Sequence, residues 1–168
     1  MKSQAQPGRS VRRVGACLDA ADRRILDMLQ DDNQITNLAL ADKIGLSPPA
    51  CLKRVRRLRA EKVIAKDVAV LDPESVGRSI VAFVGVELER QREDVLAAFE
   101  RRIAAEPEVQ QCYFVSGEID YLLTVLCRDM EAYNGFARRV LATEHNIRRF
   151  RTSFSLSRVK YETRIPLD

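Results

Sequence analysis

The stretch Gly45-Leu46-Ser47-Pro48-Pro49-Ala50-Cys51-Leu52-Lys53-Arg54-Val55-Arg56-Arg57-Leu58-Arg59 decides the first part of the fold. Gly45 favours the end of one helix, and Ser47 followed by Pro48 favours the start of another. At about 100° per residue, one arc of this helix is apolar and the opposite arc is basic. The apolar arc holds Cys51, Leu52, Val55 and Leu58, and the basic arc holds Pro49, Lys53, Arg56 and Arg57. Such a helix after a tight turn is typical of a reader of the DNA major groove, although a solvated surface helix has the same pattern.

Two apolar stripes precede this helix and complete a helix-turn-helix core. Asp19 can cap a first helix, and Thr36 can cap a second one that ends at Gly45. The first stripe holds Ile25, Leu26, Met28 and Leu29, and the second holds Leu40, Ala41 and Ile44. Three short helices with a tight second turn are the helix-turn-helix arrangement. Beyond them, residues 63–70 alternate like a strand, and we expect this strand to lead away as a connector.

Seven residues of the opening stretch are candidates for contact with double-stranded DNA. They are Ser47, Pro49, Ala50, Lys53, Arg54, Arg56 and Arg57. Basic side chains contact phosphates and base edges, and the backbone N–H groups of a helix N-terminus favour phosphate. Two alternatives stay open. Arg54 and Arg56 can pair with surface carboxylates instead, and Ser47 and Pro49 can serve only to start the helix.

The charge of the chain is divided unevenly between its two parts. The 168 residues carry a net charge of +4. Residues 1–66 contain 14 Lys and Arg against 7 Asp and Glu, whereas residues 67–168 contain 14 against 17. A basic part joined to an acidic part indicates two modules, one of which faces a polyanion. Residues 1–17 are expected to be a flexible basic arm that touches phosphates, or else an ordinary disordered terminus.

No segment predicts a membrane or secretory role, and no constellation predicts catalysis. An apolar run of about 18 residues is missing, and the N-terminus lacks the apolar centre of a signal peptide, so we expect a cytoplasmic protein without membrane contact. Glu118 and Asp120 are two carboxylates in one turn, but no nucleophile, phosphate-binding glycine loop or metal-ligand cluster joins them. We therefore expect no enzyme, no cofactor and no metal site. His145, the one histidine, has no evident partner.

The four cysteines show no metal-ligand or redox spacing. Cys17, Cys51, Cys112 and Cys127 lie far apart, without a C-x-x-C pair. Each is flanked by apolar or strand-like sequence. We expect buried free thiols rather than metal ligands or disulfides.

Residues 73–168 show the element order βαββαβ, which is typical of the ferredoxin-like fold. Strands are predicted over 80–88, 109–115, 121–127 and 147–161, with helical stripes over 95–103 and 133–141. The fold class is therefore α+β: an N-terminal helix-turn-helix, winged-helix-like domain (18–66), a linker (67–72) and a C-terminal ferredoxin-like domain (73–168). Both faces of the first strand are apolar, and helices cover only one face of such a sheet. We expect a second copy of the chain to cover the other face in a homodimer, which supplies the two-fold symmetry of a palindromic operator.

These motifs together resemble the Lrp/AsnC, or "feast/famine", family of transcriptional regulators, from about Leu18 to Tyr161. The resemblance rests on Leu18-Asp19, on Leu46-Ser47-Pro48 with Cys51-Leu52-Lys53-Arg54-Val55-Arg56-Arg57-Leu58, and on Val115-Ser116-Gly117-Glu118-Ile119-Asp120-Tyr121-Leu122-Leu123. It implies a DNA-binding dimer that assembles further, into a tetramer or octamer, and responds to a small amino acid held between dimers. The implied effector-binding residues are Gly117, Glu118, Ile119, Asp120, Tyr121, Met130, Thr152, Ser153 and Phe154.

The resemblance leaves the role of Asp120 open and has three departures. Asp120 either balances the ammonium group of an effector or forms the turn by bonding its own backbone. An effector-binding module that acts through protein contacts, with a vestigial helix-turn-helix, is the alternative function.

Lys62 stands where the family usually has glycine, which predicts a shifted helix end. Glu118 stands where the family often has Asp, and His145-Asn146 replaces a Pro-Gly turn that Asn146 can preserve at a positive φ.

Overall fold

The computed structural model describes residues 17–167, which form two compact units. The first unit takes residues 17–70 together with residues 160–167, and the second takes residues 71–159. The predicted domains over 18–66 and 73–168 differ from these units mainly at the C-terminal end, where residues 160–167 group with the first unit. Except for Cys17, the predicted basic arm over 1–17 lies outside the described residues.

Three helices build the first unit: α1 (Ala20–Asp31), α2 (Asn37–Ile44) and α3 (Pro48–Ala60). Asp19 caps α1 through a reciprocal capping box with Asp22, and the Thr36 hydroxyl accepts from the Ala39 N–H to start α2. Gly45 ends α2 at a φ of 72°, a left-handed conformation that glycine adopts without strain. Eight side chains form the buried core between the helices: Ile25, Leu26, Leu40, Ala41, Ile44, Cys51, Val55 and Leu58. The predicted helix-turn-helix core is confirmed.

The end of α3 keeps its left-handed residue although that residue is a lysine. Lys62 has a φ of 58°, and the Val63 N–H closes the helix end by donating to the Leu58 carbonyl at 2.9 Å. The predicted shift of the helix end is therefore wrong. The backbone hydrogen bonds hold a geometry that costs a non-glycine residue about 1–2 kcal/mol.

The predicted strand over residues 63–70 is also wrong. Residues 65–72 form no regular element, and Val68 and Val70 are 66% and 60% exposed. Alternation favours a strand only where a neighbouring strand supplies backbone partners, and the described part of this unit contains no strand.

The second unit is an antiparallel four-stranded sheet with two helical segments. Its elements are β1 (Ile80–Leu88), α4 (Glu93–Ala104), β2 (Val109–Phe114), β3 (Tyr121–Cys127), α5 (Met130–Phe136), a π-helical turn that continues α5 (Ala137–Leu141), and β4 (Ile147–Phe154). The strands lie in the order β2-β3-β1-β4. The predicted βαββαβ order and the α+β class are confirmed.

The two faces of this sheet differ in burial. One face packs on α4 and α5 through alternate residues of β1 and β3, which are 0–6% exposed. These residues are Ala82, Val84, Val86, Leu88, Tyr121, Leu123, Val125 and Cys127. The opposite face carries Phe83 and Tyr113, which are 43% and 52% exposed. Within this unit helices cover only the first face, and the second face, which we expect another copy of the chain to cover, is open.

The last strand is shorter than predicted, and the turn before it is built differently. β4 ends at Phe154 rather than at Tyr161, because its partner β1 begins at Ile80 and the last pairing bond joins the Ser155 N–H to the Val81 carbonyl. Asn146 does not take a positive φ. Its buried side-chain amide instead accepts from the Arg90 N–H at 3.1 Å and donates to the Arg90 carbonyl at 2.9 Å. This pair of bonds replaces the turn chemistry that the sequence predicts.

All four cysteines are free, but only Cys51 and Cys127 are buried. The predicted burial of Cys17 and Cys112 is wrong. Cys17 precedes α1, outside the helical core. Cys112 lies on the edge strand β2, beside an open groove of about 400 Å³ that α4 leaves uncovered between Glu100 and Val109.

Candidate nucleic-acid interface and effector turn

Lys53 and Arg56 form the exposed front of α3, opposite the buried arc of Cys51, Val55 and Leu58. Neither basic side chain forms a hydrogen bond or ion pair with another described residue. Their charges therefore face solvent without a partner from the described part of the chain. This front can approach the phosphates of a polyanion without first breaking a contact.

The N-terminus of α3 offers fewer donors than an ordinary helix start. Pro48 and Pro49 carry no backbone N–H, which leaves the Ala50 N–H and the Ser47 hydroxyl as the polar groups there. Ser47 makes no side-chain capping bond. The Asn37 amide donates to the Pro48 carbonyl at 2.9 Å and fixes the start of α3 against α2. Of the donors expected to bind a phosphate at this terminus, the Ser47 hydroxyl and the Ala50 N–H are therefore the ones that remain.

Arg54 and Arg57 reach back to α1 rather than forward. Arg54 Nη1 lies 2.7 Å from Asp19 Oδ2 and 2.9 Å from Asp22 Oδ1, and Arg57 Nη2 lies 2.5 Å from Asp22 Oδ2. The Asp22 side chain is 1% exposed, whereas the two arginine side chains are 32% and 42% exposed. The alternative in which Arg54 pairs with a carboxylate is therefore the one observed, and Arg57 shares it. We call Asp19, Asp22, Arg54 and Arg57 the α1–α3 ion-pair cluster.

The pKa values in the α1–α3 ion-pair cluster are shifted in favour of the charged forms. Burial by itself raises the pKa of Asp22, but hydrogen bonds from Arg57, Arg54 and the Asp19 N–H outweigh it and lower that pKa. The pKa of Asp19 is lowered by the Asp22 N–H and by Arg54. The same contacts raise the pKa values of both arginines. All four groups are charged at neutral pH.

The predicted effector turn joins β2 to β3. The Val115 N–H donates to the Asp120 carbonyl at 2.9 Å and closes the turn, and Gly117 at its tip has a φ of 132° that favours glycine. Gly117 and Glu118 are exposed. Ile119 folds over Gly85 of β1, where a Cβ atom would lie only 3.2 Å from Ile119 Cδ1. The glycine in β1 therefore makes room for the turn on the open face of the sheet.

Asp120 anchors this turn through distant partners. Its side chain is 9% exposed, Oδ2 accepts from the Leu88 N–H at 2.7 Å, and Oδ1 accepts from the Gln91 amide at 2.6 Å. The predicted alternative of an Asp that bonds its own backbone is thus wrong. No described cation pairs with this carboxylate. Its described hydrogen-bond partners are both neutral donors.

The remaining predicted effector residues divide between the two faces of the sheet. Tyr121 is 1% exposed on the helix side, where its hydroxyl donates to Glu100 at 2.8 Å and burial raises its pKa. Thr152 also faces the helices and hydrogen-bonds the Tyr133 hydroxyl. Phe154 packs edge-on against the Tyr133 ring, with centroids 4.9 Å apart. Ser153 pairs with Phe83 on the open face.

One chain does not bring these residues into a single pocket. The Asp120 N–H donates to the Val86 carbonyl on the edge of β1 that faces β3, whereas Phe154 pairs with Ala82 on the edge that faces β4. Four residues of strand separate the two points, or about 13 Å along β1. Met130, which is 44% exposed, begins α5. The turn and the group at 130 and 152–154 are separate surfaces of one chain.

Sequence reasoning missed Asp22, Gln91 and Tyr133 as partners of the predicted residues. Asp22 lies in the capping box of α1, which signals a helix start but not a partner 32–35 residues away. Gln91 carries no signal in sequence, because its bond to Asp120 depends on how the sheet folds. Among residues 17–167, no group of three or more His, Cys, Asp or Glu could hold a metal ion, and no helix is long and apolar enough to cross a membrane.

Comparisons with known proteins agree over nearly the whole chain. Residues 18–65 match the winged helix-turn-helix DNA-binding model, and residues 81–165 match the Lrp/AsnC ligand binding domain model. A helix-turn-helix-type transcriptional regulator of Sinorhizobium fredii is 41% identical over 90% of this chain and 89% of its own length. The leucine-responsive regulatory protein of Escherichia coli is 37% identical over 93% of this chain and 95% of its own length.

A solved structure shows the same fold. A transcriptional regulator of Neisseria meningitidis, determined in complex with L-methionine, aligns with a TM-score of 0.83 and 34% identity. The alignment covers 90% of this chain and 97% of that one. The relatives are regulators rather than enzymes. Since the two models and the relatives agree along the same residues, this chain belongs to the Lrp/AsnC family of helix-turn-helix transcriptional regulators.

Proposed function

We propose that this chain binds specific duplex DNA sequences through α3 and that a small amino acid alters its assembly or its DNA affinity. The observation that carries the DNA-binding part is the exposed front of Lys53 and Arg56, which has no partner in the described part of the chain and lies on a helix-turn-helix core. A helix of this kind fits the major groove and gains affinity from phosphate contacts. Such a regulator works in the cytoplasm.

The proposed DNA-contacting residues have three kinds of role. Lys53 and Arg56 make the first contacts with DNA phosphates, because neither side chain must first break a hydrogen bond or ion pair with a described residue. At the start of α3, Ser47, Pro49 and Ala50 lie against the sugar-phosphate backbone of one DNA strand. Arg54 and Arg57 contribute through the N–H groups that the α1–α3 ion-pair cluster leaves unused, since a guanidinium has five.

The test is the salt dependence of DNA affinity in the full chain. Fluorescence anisotropy with a mixed-sequence duplex should give log affinity that falls linearly with log salt, at about 0.9 per phosphate contact. The Lys53→Ala/Arg56→Ala variant should flatten the slope by about 1.8. Arg101→Ala/Arg138→Ala removes the same charge from exposed positions of the second unit and should change little. Equal slopes for both double variants would refute the assignment.

The alternative function is an effector-binding module that acts through protein contacts. The neutralisation of Arg54 and Arg57 by Asp19 and Asp22 favours it, because the helix presents less free charge than its sequence indicates. A wild-type chain that fails to bind any duplex at low salt would select this alternative.

We infer that the effector is an amino acid because Asp120 has no cationic partner among the described residues. An α-ammonium group supplies the missing positive charge, and the backbone N–H groups around Gly117 can bind the carboxylate. The turn supplies Gly117, Glu118, Ile119 and Asp120, and Tyr121 contributes through its backbone, since its side chain is 1% exposed on the helix side. The relative from Neisseria meningitidis was determined with L-methionine, which makes that amino acid the first probe.

The second group of proposed effector residues is brought to the turn by another copy of the chain. Met130 and Phe154 provide apolar surface for the side chain of the effector, and Thr152 and Ser153 provide hydroxyl groups for hydrogen bonds. Since one chain separates this group from the turn, a site between copies accounts for both. The open sheet face, with Phe83 and Tyr113, is the proposed homodimer surface, and further assembly gives a tetramer or octamer.

Two measurements test this part of the proposal. Calorimetry of the twenty amino acids should find a ligand for the wild type that Asp120→Asn binds at least tenfold more weakly, whereas Asp42→Asn on α2 binds it normally. Light scattering should report an even-numbered oligomer, and Phe83→Arg should shift it toward the monomer. A wild-type monomer, or equal binding by Asp120→Asn, contradicts the respective assignment.

A further inference from the structure

Among residues 17–167, Asp22 alone forms ion pairs with both Arg54 and Arg57, the two arginines of α3 that face α1. Its carboxylate is 1% exposed, with Oδ1 bonded to Arg54 and Oδ2 to Arg57. It also holds its own helix start, because its N–H donates to Asp19 Oδ1 at 2.8 Å and its Oδ2 accepts from the Asp19 N–H at 3.3 Å. One buried carboxylate thus links the start of α1 to the middle of α3.

This cluster cancels half of the charge that the sequence assigns to α3 between residues 53 and 57. Asp19 and Asp22 match the charges of Arg54 and Arg57, which leaves Lys53 and Arg56 as the cations of that segment without an ion-pair partner among residues 17–167. Farther along, Arg59 pairs with Asp67 at 3.1 Å. The charge available to a polyanion is therefore set by contacts inside the unit as well as by composition.

A phosphate can reach the N–H groups of Arg54 and Arg57 that the cluster leaves unused, but it competes with Asp22 for the N–H groups that face α1. If Arg54 and Arg57 turned to DNA, they would leave a carboxylate that is 1% exposed without its cations, and such a charge is costly to bury. The cost is the same for every DNA sequence. It therefore weakens sequence-independent binding, while contacts of Lys53 and Arg56 remain available.

We propose that Asp22 is a positioning residue that limits how much of the positive charge of α3 is offered to DNA. This inference rests on the proposed DNA binding. By keeping Arg54 and Arg57 at the α1 side, Asp22 lowers the sequence-independent, electrostatic part of the DNA affinity.

The experiment compares Asp22→Asn with Asp42→Asn in the full chain. Asn keeps the shape of the side chain but removes the charge that holds the arginines. Asp42 is exposed on α2, so its variant removes the same charge without touching the cluster. Anisotropy with a mixed-sequence duplex of about three helical turns is measured at several KCl concentrations. For Asp22→Asn the slope of log affinity against log salt should steepen by about 0.9–1.8, one unit of 0.9 for each arginine freed.

A merely structural role of Asp22 would lower the unfolding midpoint and leave the slope equal to that of Asp42→Asn, and this result would overturn the inference. If Asp22→Asn does not fold, Asp19→Asn decides, because Asp19 is 54% exposed and, of the two arginines, pairs with Arg54 alone. Its slope should steepen by up to about 0.9, and an unchanged slope refutes the proposal. A wild type without salt-dependent binding refutes the proposed function, and this inference falls with it. Normal wild-type binding with unchanged variant slopes refutes the inference alone.

Discussion

The α1–α3 ion-pair cluster and the effector turn each contain a buried aspartate with both oxygens occupied. Asp22 accepts from two guanidinium groups, so its charge is balanced inside the unit. Asp120 accepts from the Leu88 N–H and the Gln91 amide, which are neutral. A buried carboxylate with charged partners stabilises a fixed arrangement, whereas one with neutral partners still attracts a cation. The comparison shows that described cations balance the charge of Asp22, whereas the described partners of Asp120 are neutral.

Replacing each aspartate by asparagine should give unequal losses of stability. We expect Asp22→Asn to lower the free energy of unfolding by about 1.5–3 kcal/mol, because charged hydrogen bonds are lost. Asp120→Asn should cost under about 1 kcal/mol, since neutral donors and acceptors can rearrange around an amide. Urea unfolding followed by circular dichroism measures both. Equal losses would remove the distinction between the two sites.

Acid should destabilise the first unit through the α1–α3 ion-pair cluster. The pKa values of Asp19 and Asp22 are lowered in the folded chain, so their contribution is present above the unfolded value of about 3.9 and is lost as pH falls through the lowered values. Thermal unfolding between about pH 2 and 6 should therefore show a steep loss of stability below about pH 4. Asp22→Asn should flatten this profile and Asp42→Asn should not.

A smaller change should sharpen the role of the effector turn. Gly85→Ala places a Cβ atom 3.2 Å from Ile119 Cδ1, so Ile119 must shift and we expect a cost of about 1 kcal/mol. Hydrogen exchange at the Asp120 N–H, which donates to Val86, should become faster. Gly135→Ala on α5 meets no atom within 4 Å and should leave that exchange unchanged. Equal exchange in both variants would show that Gly85 does not support the turn.

The smallest expected effect lies at the end of α3. Lys62 has a φ of 58°, so Lys62→Gly should raise the free energy of unfolding by about 0.5 kcal/mol. Glycine relieves the strain of the left-handed conformation, and its larger loss of backbone entropy on folding offsets part of that gain. Lys62→Ala removes the same charge but keeps the Cβ atom, and it should give no gain. A matching gain from alanine would assign the effect to charge rather than to backbone strain.

Local signals in the sequence predicted the elements that depend on neighbouring residues. Asp19, Thr36 and Gly45 mark helix ends because caps and left-handed residues act over a few positions. The βαββαβ order predicted that helices cover only one face of the sheet, and the structure agrees. The strands over 63–70 and beyond Phe154 were wrong, because a strand persists only where another strand pairs with it.

The sequence by itself determined the two-module α+β architecture, the family resemblance and the basic arc of α3, since periodicity and capping are local. Only the tertiary structure decided that Arg54 and Arg57 pair with Asp22, and that Asp120 pairs with Leu88 and Gln91. These partners lie 29–35 residues apart in the chain. These contacts follow from helix packing and strand register, which no local pattern encodes. The sequence around an aspartate does not show whether a cation or a neutral amide will contact its carboxylate in the folded chain.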